Sequence, residues 1–106
     1  FLYVDDAAEG VVLAAEHYDG PDPINLGANH EVPIKELVES IVKVVGFEGE
    51  IRWDASKPDG QPRRRVDASR AAALLGFKPR TSFDEGLRET LDWYLANRED
   101  AEARDR

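Results

Sequence analysis

Short segments of three or four residues that read as strands alternate along this chain with longer segments of helical periodicity. The short segments are residues 1–4, 24–26 and 50–53, and each has the pattern of a short strand. Alternation of strand and helix predicts an α/β class, or α+β for a fragment, with a small sheet and about four helices. Strands this short do not make a complete sheet, so we expect them to extend a sheet that begins elsewhere.

The first helical segment begins beside two neighbouring carboxylates. Asp5 and Asp6 offer N-cap oxygens, and Glu9 follows Asp6 in capping-box register. The helix is predicted to run to about His17, and its apolar stripe is predicted to comprise Ala7, Ala8, Val11, Val12 and Ala15.

Three further helices are predicted from their ends. The clearest one begins after Pro33 and stops at Gly46. A shorter one is capped by Asp67 or Ser69 and closes at Gly76. The last opens with a capping box formed by Ser82 and Glu85. Residues 1–97 are therefore predicted to form one domain, followed by a charged tail, residues 98–106, that is expected to fray.

Composition narrows the function classes. The 106 residues suit one domain with a modest core, and the formal net charge of -8 disfavours nucleic acid or an anionic membrane as a partner. No apolar run reaches the length of a membrane span. Without Cys, the chain forms neither disulfides nor thiolate metal sites, and no other metal site is predicted. The chain begins at Phe1 and lacks Met, as expected of a fragment or a processed chain.

One stretch concentrates positive charge in this acidic chain. Between Asp54 and Asp67, Lys57 and the run Arg63 to Arg65 stand beside Pro and Gly turns. Guanidinium groups bind phosphate in a bidentate fork, and Lys adds a point charge. If the run is extended, Arg63 and Arg65 share one face. The alternative is a solvated basic loop that makes surface ion pairs.

The same stretch resembles a motif of the GDP-L-fucose synthases, which belong to the extended short-chain dehydrogenases. Their motif reads D-A-S-K-P-D-G-x-P-R-(K/R)-x-x-D, and residues 54–67 are closely similar to it. Other landmarks of the extended short-chain dehydrogenases are matched in the expected order by residues 1–8, 24–27, 34–37, 75–79 and 85–94. The resemblance therefore covers about residues 1–97.

This resemblance implies a substrate domain that closes over a nucleoside-diphosphate sugar, beside an N-terminal Rossmann domain that binds NADP. The synthases epimerise GDP-4-keto-6-deoxymannose at C3 and C5 and then reduce C4. Arg64 matches a basic phosphate-binding position, and Lys57 matches a pyrophosphate-binding arginine of epimerase relatives. The resemblance makes Lys57, Arg63 and Arg64 the candidate substrate-binding residues. It also implies a cytoplasmic protein that is a homodimer at full length.

The redox machinery of that family has no counterpart in this sequence. There is no G-x-x-G-x-x-G, and no Tyr is followed by Lys four positions later. We therefore assign no catalytic or cofactor-binding residue, and we expect the chain alone to bind no cofactor and to be inactive. Two alternatives stay open: the corresponding domain of a UDP- or dTDP-sugar epimerase or dehydratase, and a non-catalytic binding or interaction domain of the same fold.

Overall fold

The computed structural model describes residues 1–60, 63 and 65–104. Over these residues the chain forms five helices: α1 Val4–His17, α2 Ile34–Val45, α3 Ser69–Leu75, α4 Phe83–Ala96 and α5 Arg98–Arg104. No strand occurs in the described ranges, so the predicted strands at 1–4, 24–26 and 50–53 are not confirmed. A strand exists through hydrogen bonds to a neighbour, and these three segments do not pair with one another.

The most buried part of the molecule lies between α1 and α3. Ala71, Leu75 and Phe77 are each at most 5% exposed and form its centre. Half-buried apolar side chains from the N-terminal third pack around them: Leu2, Leu13, Ala14, Tyr18, Ile24 and Leu26. The segment 24–26 therefore contributes Ile24 and Leu26 to the core, although it belongs to no sheet among the described residues.

The core-facing side of α1 differs from the predicted stripe. Val11 and Val12 are 62% and 55% exposed, whereas Asp6 and Gly10 are buried. A Cβ atom at Gly10 would lie 2.8 Å from Leu26 Cδ1, so the missing side chain admits the segment 24–26 against α1. Periodicity placed Val11 and Val12 in the contact surface. It could not show that Gly10, which has no side chain, lies in that surface instead.

Asp6 ties α1 to the start of α4 instead of capping its own helix. The N-cap position is Tyr3, which makes no side-chain cap. The Asp6 carboxylate accepts a hydrogen bond from the backbone N–H of Thr81 at 3.0 Å, across 75 residues of sequence. Glu9 pairs with Arg80 at 3.1 Å, so the predicted capping box of Asp6 and Glu9 is wrong. Both carboxylates serve tertiary contacts.

The predicted ends of α2, the C-terminal end of α3 and the start of α4 are confirmed. The predicted cap of α3 by Asp67 or Ser69 is wrong, because Ala68 is the N-cap residue and makes no side-chain cap. Gly46 and Gly76 close α2 and α3 with φ of 70° and 65°, values that glycine adopts without steric cost. Ser82 accepts from the Glu85 backbone N–H, and the Glu85 carboxylate accepts from the Ser82 backbone N–H. Helix α4 packs against α2, which places a second helix pair beside the α1–α3 pair.

The charged tail is helical over most of its length. Helix α5 continues after α4, and no residue of it is buried. The Glu102 carboxylate accepts from Arg98 Nε at 2.7 Å and from the Tyr94 hydroxyl at 3.1 Å, which attaches α5 to α4. The sequence predicted a frayed tail, whereas residues 98–104 form a helix with these contacts. Across residues 1–60, 63 and 65–104, no helix has both the length and the apolar character needed to cross a bilayer.

Asp6→Ala is expected to destabilise the fold by about 1–3 kcal/mol, because the half-buried Thr81 N–H would lose its acceptor. Asp5→Ala is the matched control, since Asp5 is exposed in the same helix turn and contributes less than about 1 kcal/mol through the helix dipole. Urea unfolding followed by circular dichroism measures both changes. Equal losses for the two variants would contradict the tethering role of Asp6.

Candidate functional site

The basic stretch lies along one side of an open cavity of about 700 Å³. The opposite side comes from the segment between Leu26 and the first turn of α2. We call this space the cationic cavity; the described residues that line it are Phe1, Leu2, Leu26, Gly27, Ala28, His30, Glu31, Val32, Pro33, Ile34, Arg63, Arg65 and Val66. Its size is typical of small-molecule sites.

Arg63 is held by Glu31 in a two-bond ion pair. Arg63 Nε donates to Glu31 Oε1 at 3.1 Å, and Nη2 donates to Oε2 at 2.5 Å. These hydrogen bonds, with the positive charges of Arg63 and Arg65, hold the pKa of the Glu31 carboxyl below its ordinary value. The same pair raises the pKa of the Arg63 guanidinium. Arg63 therefore lies at the cavity with one edge of its guanidinium already engaged.

Arg65 faces the same cavity as Arg63, which matches the prediction that the two share one face if the run is extended. Its charge also contributes to the lowered pKa of the Asp67 carboxyl, which is caused mainly by hydrogen bonds from Ser69. Alternation along the run was the signal for Arg65, although it was not among the candidate residues. Glu31 had no comparable signal, because it lies 32 residues before its partner.

The structure does not place Lys57 at the cavity. Lys57 lies on the loop after Asp54, where its backbone N–H faces the Asp54 carbonyl oxygen at 3.4 Å. That loop is tightened by Asp54, whose carboxylate accepts from the Ser56 backbone N–H and hydroxyl. Lys57 is not one of the described residues that line the cationic cavity. Arg64 lies outside the described residues.

A second, more apolar cavity of about 350 Å³ adjoins the first. The two share Phe1, Leu2, Ala28 and His30 in their linings. Phe83 lies at the start of α4 in the smaller cavity, with ring centroids 6.1 Å from Phe1 and 6.3 Å from His30. A surface that carries two arginines thus adjoins an aromatic one, an arrangement that suits a ligand with a charged part and a ring.

Metal chemistry has no support in the described part of the chain. Among those residues, no group of three or more His, Cys, Asp or Glu side chains is arranged to hold a metal ion. The described lining of the cationic cavity offers guanidinium groups for charge-assisted binding and apolar side chains for contact.

Comparison with known proteins connects this site to one group of enzymes. No protein-family model matches the chain. GDP-L-fucose synthase 1 of Arabidopsis thaliana is 47% identical over 97 residues, which make up 92% of this chain and 30% of that protein. The GDP-L-fucose synthase of Escherichia coli is 39% identical, over 93% of this chain and 33% of its own length. The chain matches part of the GDP-L-fucose synthases, to which it is 37–47% identical over 92–93% of its own length.

The chain spans about a third or less of the length of these synthases. A more distant relative, the dTDP-glucose 4,6-dehydratase of Salmonella typhimurium, is 30% identical over 92% of this chain and 29% of its own length. The resemblance that the basic stretch suggested is thus confirmed at the level of the family. It extends, at lower identity, to an enzyme named for another nucleotide sugar.

Solved structures confirm the fold class. The Bordetella bronchiseptica enzyme WbmF, crystallised with NAD+ and UDP, superposes with a TM-score of 0.82 at 29% identity, over 97% of this chain and 31% of WbmF. Its complex with NADH gives the same TM-score at 28% identity. The prediction of a small substrate domain of the extended short-chain dehydrogenase type is confirmed, although the short strands are not.

Protonation of Glu31 is expected to weaken the fold at acid pH. A carboxyl whose pKa is lowered on folding stabilises the native state above its ordinary pKa of 4.5, and this contribution is lost as the pH falls through the lowered folded value. The stability difference between wild type and Glu31→Gln, measured by urea unfolding, should therefore shrink from neutral pH to well below 4.5.

Glu39→Gln is the matched control, because Glu39 forms an exposed pair with Lys35 on α2, at 3.9 Å. The stability of this variant is expected to follow that of wild type across the pH range, since exposed pairs of this kind contribute little. A Glu31→Gln protein that keeps a constant stability difference from wild type at all pH values would contradict the assignment.

Proposed function

We propose that this chain is the nucleotide-sugar-binding part of an NADP-dependent epimerase and reductase that makes GDP-L-fucose from GDP-4-keto-6-deoxymannose. The observation that carries the proposal is the arrangement of Arg63 and Arg65 along one cavity in a chain that is 47% identical to a GDP-L-fucose synthase. Two guanidinium groups at one cavity provide several N–H donors, which suits the several oxygens of a diphosphate.

In this proposal the chain binds and orients substrate. Arg63, Arg64 and Lys57 are the proposed substrate-binding residues. Of these, Arg63 lines the cationic cavity, where Arg65 is a further cation. NADP supplies the hydride and is held by an N-terminal domain outside this sequence, together with the Tyr and Lys that move protons. The residues present here have no glycine-rich phosphate loop for a dinucleotide, so no step of the redox reaction is assigned to them.

Uncovered apolar side chains support a further domain beside this one. Helix α2 has an apolar stripe but no buried residue, and Ile34, Ile41 and Val45 on that stripe are 60%, 39% and 53% exposed. A stripe of this kind indicates a surface that another domain or chain covers. We therefore include in the proposal a cofactor-binding domain that docks onto this chain, a homodimer at full length and a cytoplasmic location.

A second candidate function has its own support. WbmF was crystallised with UDP, and the Salmonella typhimurium relative is named for a dTDP-sugar. The alternative is therefore the substrate domain of a UDP- or dTDP-sugar epimerase or dehydratase. The phosphates are common to all three nucleotides, so the base decides between the candidates.

The first test is a titration of nucleotides into a chimaera in which this chain replaces the matching part of the Escherichia coli synthase. GDP is expected to bind more tightly than UDP or dTDP. Arg64→Ala should weaken GDP binding about ten- to hundredfold, because it removes a charge-assisted contact. Arg64→Lys should recover part of the loss, since the charge remains without the fork.

Arg88→Ala is the matched control, because Arg88 is an exposed arginine on α4 that does not line the cationic cavity. It is expected to bind GDP like the unmodified chimaera. Equal GDP affinity in Arg64→Ala and in the unmodified chimaera would remove Arg64 from the site, and a preference for UDP or dTDP would favour the second candidate.

The 106-residue chain alone is expected to consume no NADPH with a keto-sugar nucleotide, because the cofactor site belongs to the other domain. Absorbance at the NADPH band measures this directly, with the chimaera as positive control. Steady NADPH oxidation by the purified chain would refute the division of labour between the two domains.

A further inference from the structure

The ion pair of Glu31 with Arg63 is the best-defined polar contact of the cationic cavity. It joins parts of the chain that are 32 residues apart, and both side chains line the cavity. Glu31 is the more buried partner, with 31% of its side chain exposed against 75% for Arg63. The carboxylate is thus the fixed end of the pair, and the guanidinium extends from it toward solvent.

The geometry of the pair leaves donors for a ligand. A guanidinium has five N–H donors in one plane, and Glu31 accepts from Nε and from one N–H of Nη2. Three N–H donors of Arg63 then remain on the other side of the group. A planar group held at one edge has a fixed orientation at the opposite edge, which is the condition for a strong two-bond contact with phosphate.

Gly27 and Val66 approach each other closely in the same two segments. A Cβ atom at Gly27 would lie 3.2 Å from Val66 Cβ, so residue 27 approaches residue 66 closely. Glu31 meets Arg63 further along, which means that the contacts run in opposite order along the two segments. The side of the cavity that carries Arg63 and Arg65 is thereby attached at two points to the segment before α2.

Two effects of Glu31 on an anionic ligand oppose each other. Its negative charge repels a diphosphate, but this charge is paired with that of Arg63 in a site that is open to solvent. Its hydrogen bonds remove the rotamer freedom of a long side chain before the ligand arrives. The two effects predict opposite changes in affinity when Glu31 is replaced by Ala, and the positioning role requires the second effect to outweigh the first.

We propose that Glu31 is a positioning residue that orients Arg63 for the diphosphate of a nucleotide, an inference that rests on the proposed function. Glu31 does not touch the ligand. It holds the Nε edge of Arg63 so that the outer edge of the guanidinium binds phosphate oxygens.

The sign of one substitution tests this role. In the chimaera described above, Glu31→Ala should weaken GDP and inorganic pyrophosphate binding about three- to tenfold and raise the KM with kcat retained, because the orientation of Arg63 is lost. Glu31→Asp keeps the carboxylate on a side chain that is one methylene group shorter. It should recover part of the affinity that Glu31→Ala loses. A purely repulsive Glu31 predicts the reverse, with Glu31→Ala binding more tightly than wild type.

A ligand-free measurement separates this inference from the proposed function. Hydrogen exchange of the amides from Arg65 to Ala68 should become faster in Glu31→Ala than in wild type, and should stay unchanged in the control Glu39→Gln. Unchanged exchange in Glu31→Ala, or unchanged or tighter GDP binding, would overturn the positioning role. Failure of the unmodified chimaera to bind either GDP or pyrophosphate would instead overturn the proposed function itself.

Discussion

The packing of Leu26 and Phe77 against Gly10 is the contact on which the rest of the molecule depends. It brings the segment 24–26 onto α1 and joins it to the buried end of α3. Residue 27 then meets Val66, and the cationic cavity opens between the two segments. A Cβ atom at residue 10 would require the side chain of Leu26 to shift, so Gly10 allows the segment 24–26 to pack closely against α1.

Local physics made some parts of this fold predictable from sequence. Gly46, Gly76 and the pair of Ser82 with Glu85 mark helix ends, because caps depend on residues within one turn. The prediction of short strands was not confirmed, because a strand needs a neighbouring strand and the sequence of the segment does not say whether one is present. The contact of Asp6 with Thr81 spans 75 residues and has no local signature, so its local capping role was the natural but wrong prediction.

The candidate site was predictable to the same extent. The concentration of cations in residues 57–65 stood out because the chain has a net charge of -8. The alternation of side chains along an extended run predicted that Arg63 and Arg65 share one face. The partner of Arg63 could not be found that way, since the chain has 22 acidic residues and nothing local distinguishes Glu31 among them. The candidate site is therefore a pair of arginines, one of which is held by a carboxylate that is distant in sequence. The same domain exposes apolar side chains on α2.

The central claim is that the cavity lined by Arg63 and Arg65 binds the diphosphate of a nucleotide. Nuclear magnetic resonance of the labelled 106-residue chain tests it most directly, since the Nε–H signal of each arginine reports its own hydrogen bonds. Titration with GDP is expected to shift the signals of Arg63 and Arg65 and to leave that of Arg88 on α4 in place. If GDP shifts neither cavity arginine, or shifts all arginines alike, the cavity is not the diphosphate site.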